Sequence, residues 1–196
     1  MDRPRERPWP ERARRRGKRV PVYALAMLLL YAAAGAAQGL SEMEVKAAYL
    51  FNFAKFVEWP PGAFAASHAP LVLCIPGRSA LGGALAALEG KSAQGHELRT
   101  RREVRPDDLK SCHILFVPEA DSASAAELLR KAGTLPVLTV GEQDQFAARG
   151  GVIGLVAGDE RVRFEINPDA ANRAGLKISS QLLRLATLVQ EGKNPK

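Results

Sequence analysis

The stretch KSCHILFVPEA, residues 110–120, decides how the rest of the chain is read. Ile114 to Val117 form an unbroken apolar run ended by Pro118, the pattern of a strand buried on both faces of a parallel sheet. At the mouth of that run Cys112 stands beside His113. Adjacent residues on extended backbone point to opposite faces, whereas a catalytic base must come within about 3 Å of its thiol. The pair therefore reads as one side chain turned into a core face and one turned out. Whether Cys112 is also one end of a covalent staple depends on the compartment in which the chain folds.

Two further stretches share this form. PLVLCIPG (70–77) and PVLTVG (136–141) are apolar runs closed by Pro76-Gly77 and Gly141. Helical patterns separate them: GRSALGGALAALEG (77–90), with Leu81, Leu85 and Leu88 on one side, and ASAAELLRKAG (123–133), closed by Gly133. EQDQFAARG (142–150) reads as a short helix, and His96 to Val104 as a polar edge strand. GVIGLVAGD and ERVRFEIN (151–167) read as two strands joined at Gly158-Asp159.

Upstream, Ser41-Glu42-Met43-Glu44 is a capping box. It opens an amphipathic helix whose expected inner face is Val45, Ala48, Tyr49, Asn52, Phe53 and Phe56, stopped by Trp59-Pro60-Pro61-Gly62. Downstream, Asn167-Pro168-Asp169 supplies an N-cap, a first-turn proline and an acid at the positive helix end. A last helix is expected from about Ser180 to Gln190, with Ile178, Leu182, Leu185 and Val189 turned inward. Strand–helix units with short connections predict one layered α/β domain. Its sheet is mostly parallel with an antiparallel edge near the C-terminus, and helices cover both faces.

Charge separates the two ends of the chain. Residues 1–19 hold eight arginines and Lys18 against Asp2, Glu6 and Glu11. Taking these from the 28 basic and 21 acidic residues of the whole leaves 19 against 18. The formal +7 thus belongs to the leader, and the body offers no basic face for nucleic acid. The leader has a positive segment ending at Lys18-Arg19, an apolar run VPVYALAMLLLYAAA, and small residues Ala34-Gly35-Ala36. That is the plan of an export signal spanning 1–36, with the mature domain at 37–196. The run falls short of the roughly twenty residues that cross a bilayer as a helix. In an oxidising compartment an even number of thiols pairs, and there are two, Cys74 and Cys112. Joining them closes a loop of 38 residues, which stabilises by about 4 kcal/mol on the chain-entropy estimate. One geometric condition attaches. In parallel strands in register, Cys74 would lie some four residues beyond Cys112, so a stagger or bend must bring them together.

Enzyme and cofactor motifs do not assemble. Gly90-Lys91-Ser92 lacks the first glycine of a phosphate loop, whose place is Leu85, and follows a helix rather than a strand. The strand ends carry Pro76, Pro118 and Gly141 where a phospho-acceptor receiver needs acids. No G-x-S-x-G, C-x-x-C or H-x-x-x-H occurs, and His68, His96 and His113 lie in unlike segments, so neither a metal nor another cofactor is expected. In ERVRFEIN, Val162, Phe164 and Ile166 share one face, and Arg161, Arg163, Glu165 and Asn167 the other. The polar face reads either as a half-solvated surface or as one that recognises a partner through Glu165.

Taken together, EVKAAYLFNFAKFVEWP, LVLCIPG, SCHILFVPEA, LPVLTVGE and VRFEINPDAANRAGLKISSQLLRLA resemble the YfiR family of periplasmic proteins over nearly all of 42–190. The resemblance implies a non-enzymatic periplasmic repressor that binds the periplasmic sensor part of an inner-membrane diguanylate cyclase. It would thereby lower cyclic-di-GMP synthesis and biofilm output. It implies a homodimer, and a partner-facing region at Glu165, Ile153 and Ala171. Some members carry a second cysteine pair that this chain lacks. Two other classes stay open: a periplasmic small-molecule-binding module of a sensor or transport system, and an enzyme of unrecognised type.

Overall fold

The computed structural model describes residues 41–77, 79, 81–156 and 163–192. The expected export signal, the expected Gly158-Asp159 turn and the faces of Arg161 and Val162 lie outside the described residues. Among those described, no helix is long and apolar enough to cross a membrane.

Helix α1 (Glu42–Phe56) starts at the expected capping box. The Ser41 amide donates to Glu44 Oε2 at 2.8 Å and the Glu44 amide donates to Ser41 Oγ at 3.3 Å, a device worth about 1 kcal/mol. Its buried face differs from the expected one. Ala47, Leu50, Phe53 and Ala54 turn inward, while Ala48 and Asn52 are exposed. Apolar side chains surround this helix, so several faces fit the sequence; Tyr49 and Phe56 pack only at the margin of the core. The helix passes into β1 (Val57–Glu58), which pairs antiparallel with β9 (Lys177–Ile178).

The main sheet is built from β2 (Leu71–Ile75), β3 (Ser92–Ala93), β4 (His96–Arg102), β5 (Ile114–Val117), β6 (Leu138–Gly141), β7 (Ile153–Val156), β8 (Arg163–Ile166) and β10 (Thr187–Leu188). Their order is β10-β8-β7-β6-β5-β2-β4-β3. Strands β4, β2, β5, β6 and β7 run parallel, β8 runs antiparallel to β7, and β3 runs antiparallel to β4. Chain order reverses between β2 and β5, so the crossovers leave in opposite directions and helices cover both faces. On one face α1 lies against Leu73, Ile114, Phe116, Leu138, Val140 and Ile153. On the other, α3 (Ser122–Ala132) brings Ala125, Leu128 and Ala132 to Cys74, Leu115 and Val117. Burying a Leu or Phe in such a face contributes roughly 1.5–3 kcal/mol each before entropy is counted.

The expected 77–90 helix shortens to α2 (Gly82–Ala86), but its three leucines are buried as expected. Strand β4 is not the edge; a hairpin at Gln94-Gly95 adds β3 outside it. Gln94 also donates from Nε2 to the Ala54 and Val57 carbonyls at 2.7 and 2.6 Å, satisfying acceptors that the end of α1 leaves open.

Two expected helices are corrected. Residues 144–150 form turns, because Gln145 takes φ +57° and the Phe146 ring drops onto the sheet. It rests on the backbones of Gly141 and Gly151, where a Cβ on either would collide with the ring. The C-terminal helix is only α5 (Ser180–Leu183). The chain then extends as β10, and the Val189 amide donates to the Ile166 carbonyl at 2.9 Å. Backbone pairing along the open edge of β8 outweighs helix continuation here. Leu182 and Val189 are buried, but Leu185 is 72% exposed rather than inward.

Candidate functional site

The cysteine staple is present. Cys74 and Cys112 are bonded, with Cα atoms 5.8 Å apart. Cys74 stands opposite Leu115 in the β2–β5 register, three residues beyond Cys112. The condition is met by a bend: Cys112 ends a 3-10 segment (Pro106–Ser111) that folds over the sheet before β5 begins. Both cysteines lie in the core under α3.

His113 points the other way, as adjacent positions must, but it is buried rather than outward. Its Nδ1 accepts from the Val72 amide at 3.1 Å and its Nε2 lies 3.2 Å from the Ala63 carbonyl. One nitrogen accepting and one donating defines a neutral imidazole. Phe64 stacks between His113 and His96, with ring centroids 4.3 and 3.7 Å away. Desolvation lowers the His113 pKa from its ordinary 6.5, assisted by His96 and opposed by the bond to Ala63. No thiol–imidazole chemistry is available, since the sulfur is consumed and the ring is locked. Among the described residues no cluster of three or more His, Cys, Asp or Glu could hold a metal ion.

Glu165 belongs to a different kind of surface. Phe164 and Ile166 face the core, where Phe164 meets Tyr49 and Phe53 edge-on at 5.6 and 5.3 Å. Those contacts fix which side of β8 is outside, because a slip of one residue would expose both. Glu165 therefore projects from the opposite face, paired with Gly154 on β7 and Thr187 on β10. Val156, 41% exposed, and Arg163 lie opposite each other on the same side. Glu165 is half-buried and has no hydrogen-bond or ion-pair partner among the described residues. Burial raises its carboxyl above the ordinary 4.5. A partnerless, partly desolvated carboxylate beside an exposed valine and threonine suits recognition better than catalysis.

The structure does not bring the other two expected partner residues to this surface. Ile153 is fully buried and pairs with Val140 and Ile166. Ala171, 2% exposed, packs inward from α4 (Pro168–Arg173). Both shape the backbone beneath the face but offer it no surface. Sequence reasoning missed Val156 and Thr187, because strand pairing alone places them beside Glu165.

Below the face, Asn167 is fully buried and connects three segments. Its Oδ1 accepts from the Ala170 amide at 3.0 Å as the N-cap of α4, and its Nδ2 donates to the Ala147 carbonyl at 2.8 Å. Its own amide donates to the Val152 carbonyl at 2.9 Å.

This architecture is similar to a solved structure, a conserved domain protein from Vibrio cholerae O1 biovar El Tor, at 12% identity and a TM-score of 0.51. The match covers 78% of this chain and 61% of that one, so this chain spans about three fifths of it. Identity that low speaks for the fold alone. The family model described as YfiR/HmsC-like matches residues 43–187, from α1 to the first residue of β10. By that match the chain belongs to the YfiR/HmsC-like family.

Proposed function

We propose that the protein is exported to the periplasm, where it binds the periplasmic sensor part of an inner-membrane diguanylate cyclase and represses it. Cyclic-di-GMP synthesis, and with it biofilm and exopolysaccharide output, falls as a result. The family is one of regulatory, non-catalytic proteins known as periplasmic regulators of diguanylate cyclases. The observation that carries the reading to residues is the outer face of β7, β8 and β10. There Glu165 is held in register without a partner, beside Val156, Arg163 and Thr187. In this reading Glu165 orients the partner, and Ile153 and Ala171 support it from beneath.

A buried disulfide near the middle of the sheet suits an oxidising compartment, and residues 1–36 provide the export signal. The protein acts as a homodimer in this reading. Leu185 and Leu188, 72% and 56% exposed at the β10 edge, supply apolar surface for a second copy.

The test is cellular. Deleting the gene should raise cyclic-di-GMP, and restoring the wild-type protein should lower it again. Restoring Glu165→Arg, secreted in equal amount, should not. Unchanged cyclic-di-GMP on deletion would refute the proposed repression.

A further inference from the structure

On the α3 side of the sheet, a cleft of about 420 Å³ opens between α3 and the turns at 143–150. That size suits a small ligand. Its wall includes Leu129 and Phe146, and its rim carries Arg130, Arg149 and Arg173. Arg173 is neutralised by Glu191 at 2.6 Å. The guanidinium groups of Arg130 and Arg149 have no ion pair or hydrogen bond among the described residues. The rim therefore carries uncompensated positive charge.

One residue of the cleft wall also carries an unmet acceptor. Gln143, 7% exposed, lines it. Its Nε2 donates to the Val117 and Pro118 carbonyls at 3.3 and 2.6 Å, which fixes the orientation of the amide, because Oε1 turned toward two carbonyls would be repelled. Oε1 is then buried without a donor. A buried acceptor left unpaired is costly and calls for an explanation.

We propose that this cleft binds a small organic anion. A carboxylate or phosphate head would be taken by Arg130 and Arg149, and a compact apolar body would lie against Leu129 and Phe146. Arginine forks match both kinds of oxyanion. Two free arginines beside an apolar wall are too few for a nucleic-acid backbone, which needs a run of phosphate contacts. The site is independent of the cyclase reading. It stands apart from Glu165, although the 143–150 turns reach both, since Ala147 lies under Gly154 beside the Glu165 carboxylate.

The experiment is a titration of the purified protein, followed by amide NMR shifts and thermal midpoint. The probes are 4-hydroxybenzoate, 4-hydroxyphenyl phosphate, inorganic phosphate and neutral 4-hydroxybenzyl alcohol. Saturable shifts at Gln143, Phe146 and Arg149 with either aromatic anion are expected, and which anion binds tighter identifies the head group. Arg130→Gln with Arg149→Gln should weaken binding about tenfold or more without lowering the midpoint of the ligand-free protein. The proposal is overturned if neither aromatic anion saturates. It also fails if the alcohol or inorganic phosphate binds equally well, or if the double arginine variant binds unchanged.

Discussion

The carboxylate of Glu165 lies over Gly154, with Oε2 3.7 Å from the point where a Cβ on Gly154 would stand. The two residues are paired across β7 and β8, and the missing side chain leaves the carboxylate room to settle against the sheet, where it loses water without gaining a partner. Because this raises its pKa from 4.5, the folded protein binds the proton more tightly than the unfolded chain. The sign follows by linkage: the contribution of Glu165 is fully present below the unfolded value and is lost as pH rises through the folded one. Wild type should therefore lose stability relative to Glu165→Gln as pH climbs through the window just above 4.5. Paired urea unfolding curves measure this, and a constant difference across that window would refute the desolvated carboxylate.

His113 works in the opposite sense. Its folded pKa is depressed below 6.5, chiefly by desolvation, so its contribution is present above 6.5 and is lost as pH falls through the folded value. Protonation removes the Nδ1 acceptor that serves the Val72 amide. His113→Phe should cost about 1–3 kcal/mol at neutral pH by leaving that amide unpaired, and should flatten the acid limb of the stability curve. An acid limb unchanged in the variant would assign it to another group.

The staple gives a chemical test. Denatured without reductant, the protein should show no reactive thiol, and after reduction two. Replacing both cysteines by alanine should lower stability by up to about 4 kcal/mol on the loop-entropy estimate, read as a lower urea midpoint. Two thiols reacting before reduction would contradict the bond.

Asn167→Ala removes the cap of α4 and the donor to Ala147 together. The expected loss is about 2–4 kcal/mol, combining a cap with an orphaned buried carbonyl. Asn167→Ser restores only the cap and should recover about 1 kcal/mol of it. Equal midpoints for the Ala and Ser variants would remove the cap from this account.

Much of the layered fold was legible because buried parallel strands leave little choice. LVLCI and ILFV are unbroken apolar runs and LTVG is broken only by Thr139; all three end at Pro or Gly, and each became a central strand. The staple was legible too, through the expected export and an even thiol count, although the bend that closes it was not. What failed depended on distant partners. QDQFAAR carries a helix-like pattern, but Phe146 belongs to a slot made by Gly141 and Gly151. Leu185 has helical spacing from Leu182, but the chain leaves the helix to complete the edge of β8. Alternation in its own strand put Glu165 on the polar face, where it is half-buried, whereas Ile153 and Ala171, transferred by resemblance, are buried. Val156 and Thr187 became visible only with the strand order.

The central claim is that the outer face around Glu165 holds the sensor part of a membrane-bound diguanylate cyclase. Capture from solubilised membranes tests it most directly, using wild type and a Glu165→Arg variant matched for unfolding midpoint. The account predicts that wild type retains the cyclase and that Glu165→Arg retains about a tenth or less, as expected when a recognition carboxylate is reversed. Equal retention by the two proteins would contradict it.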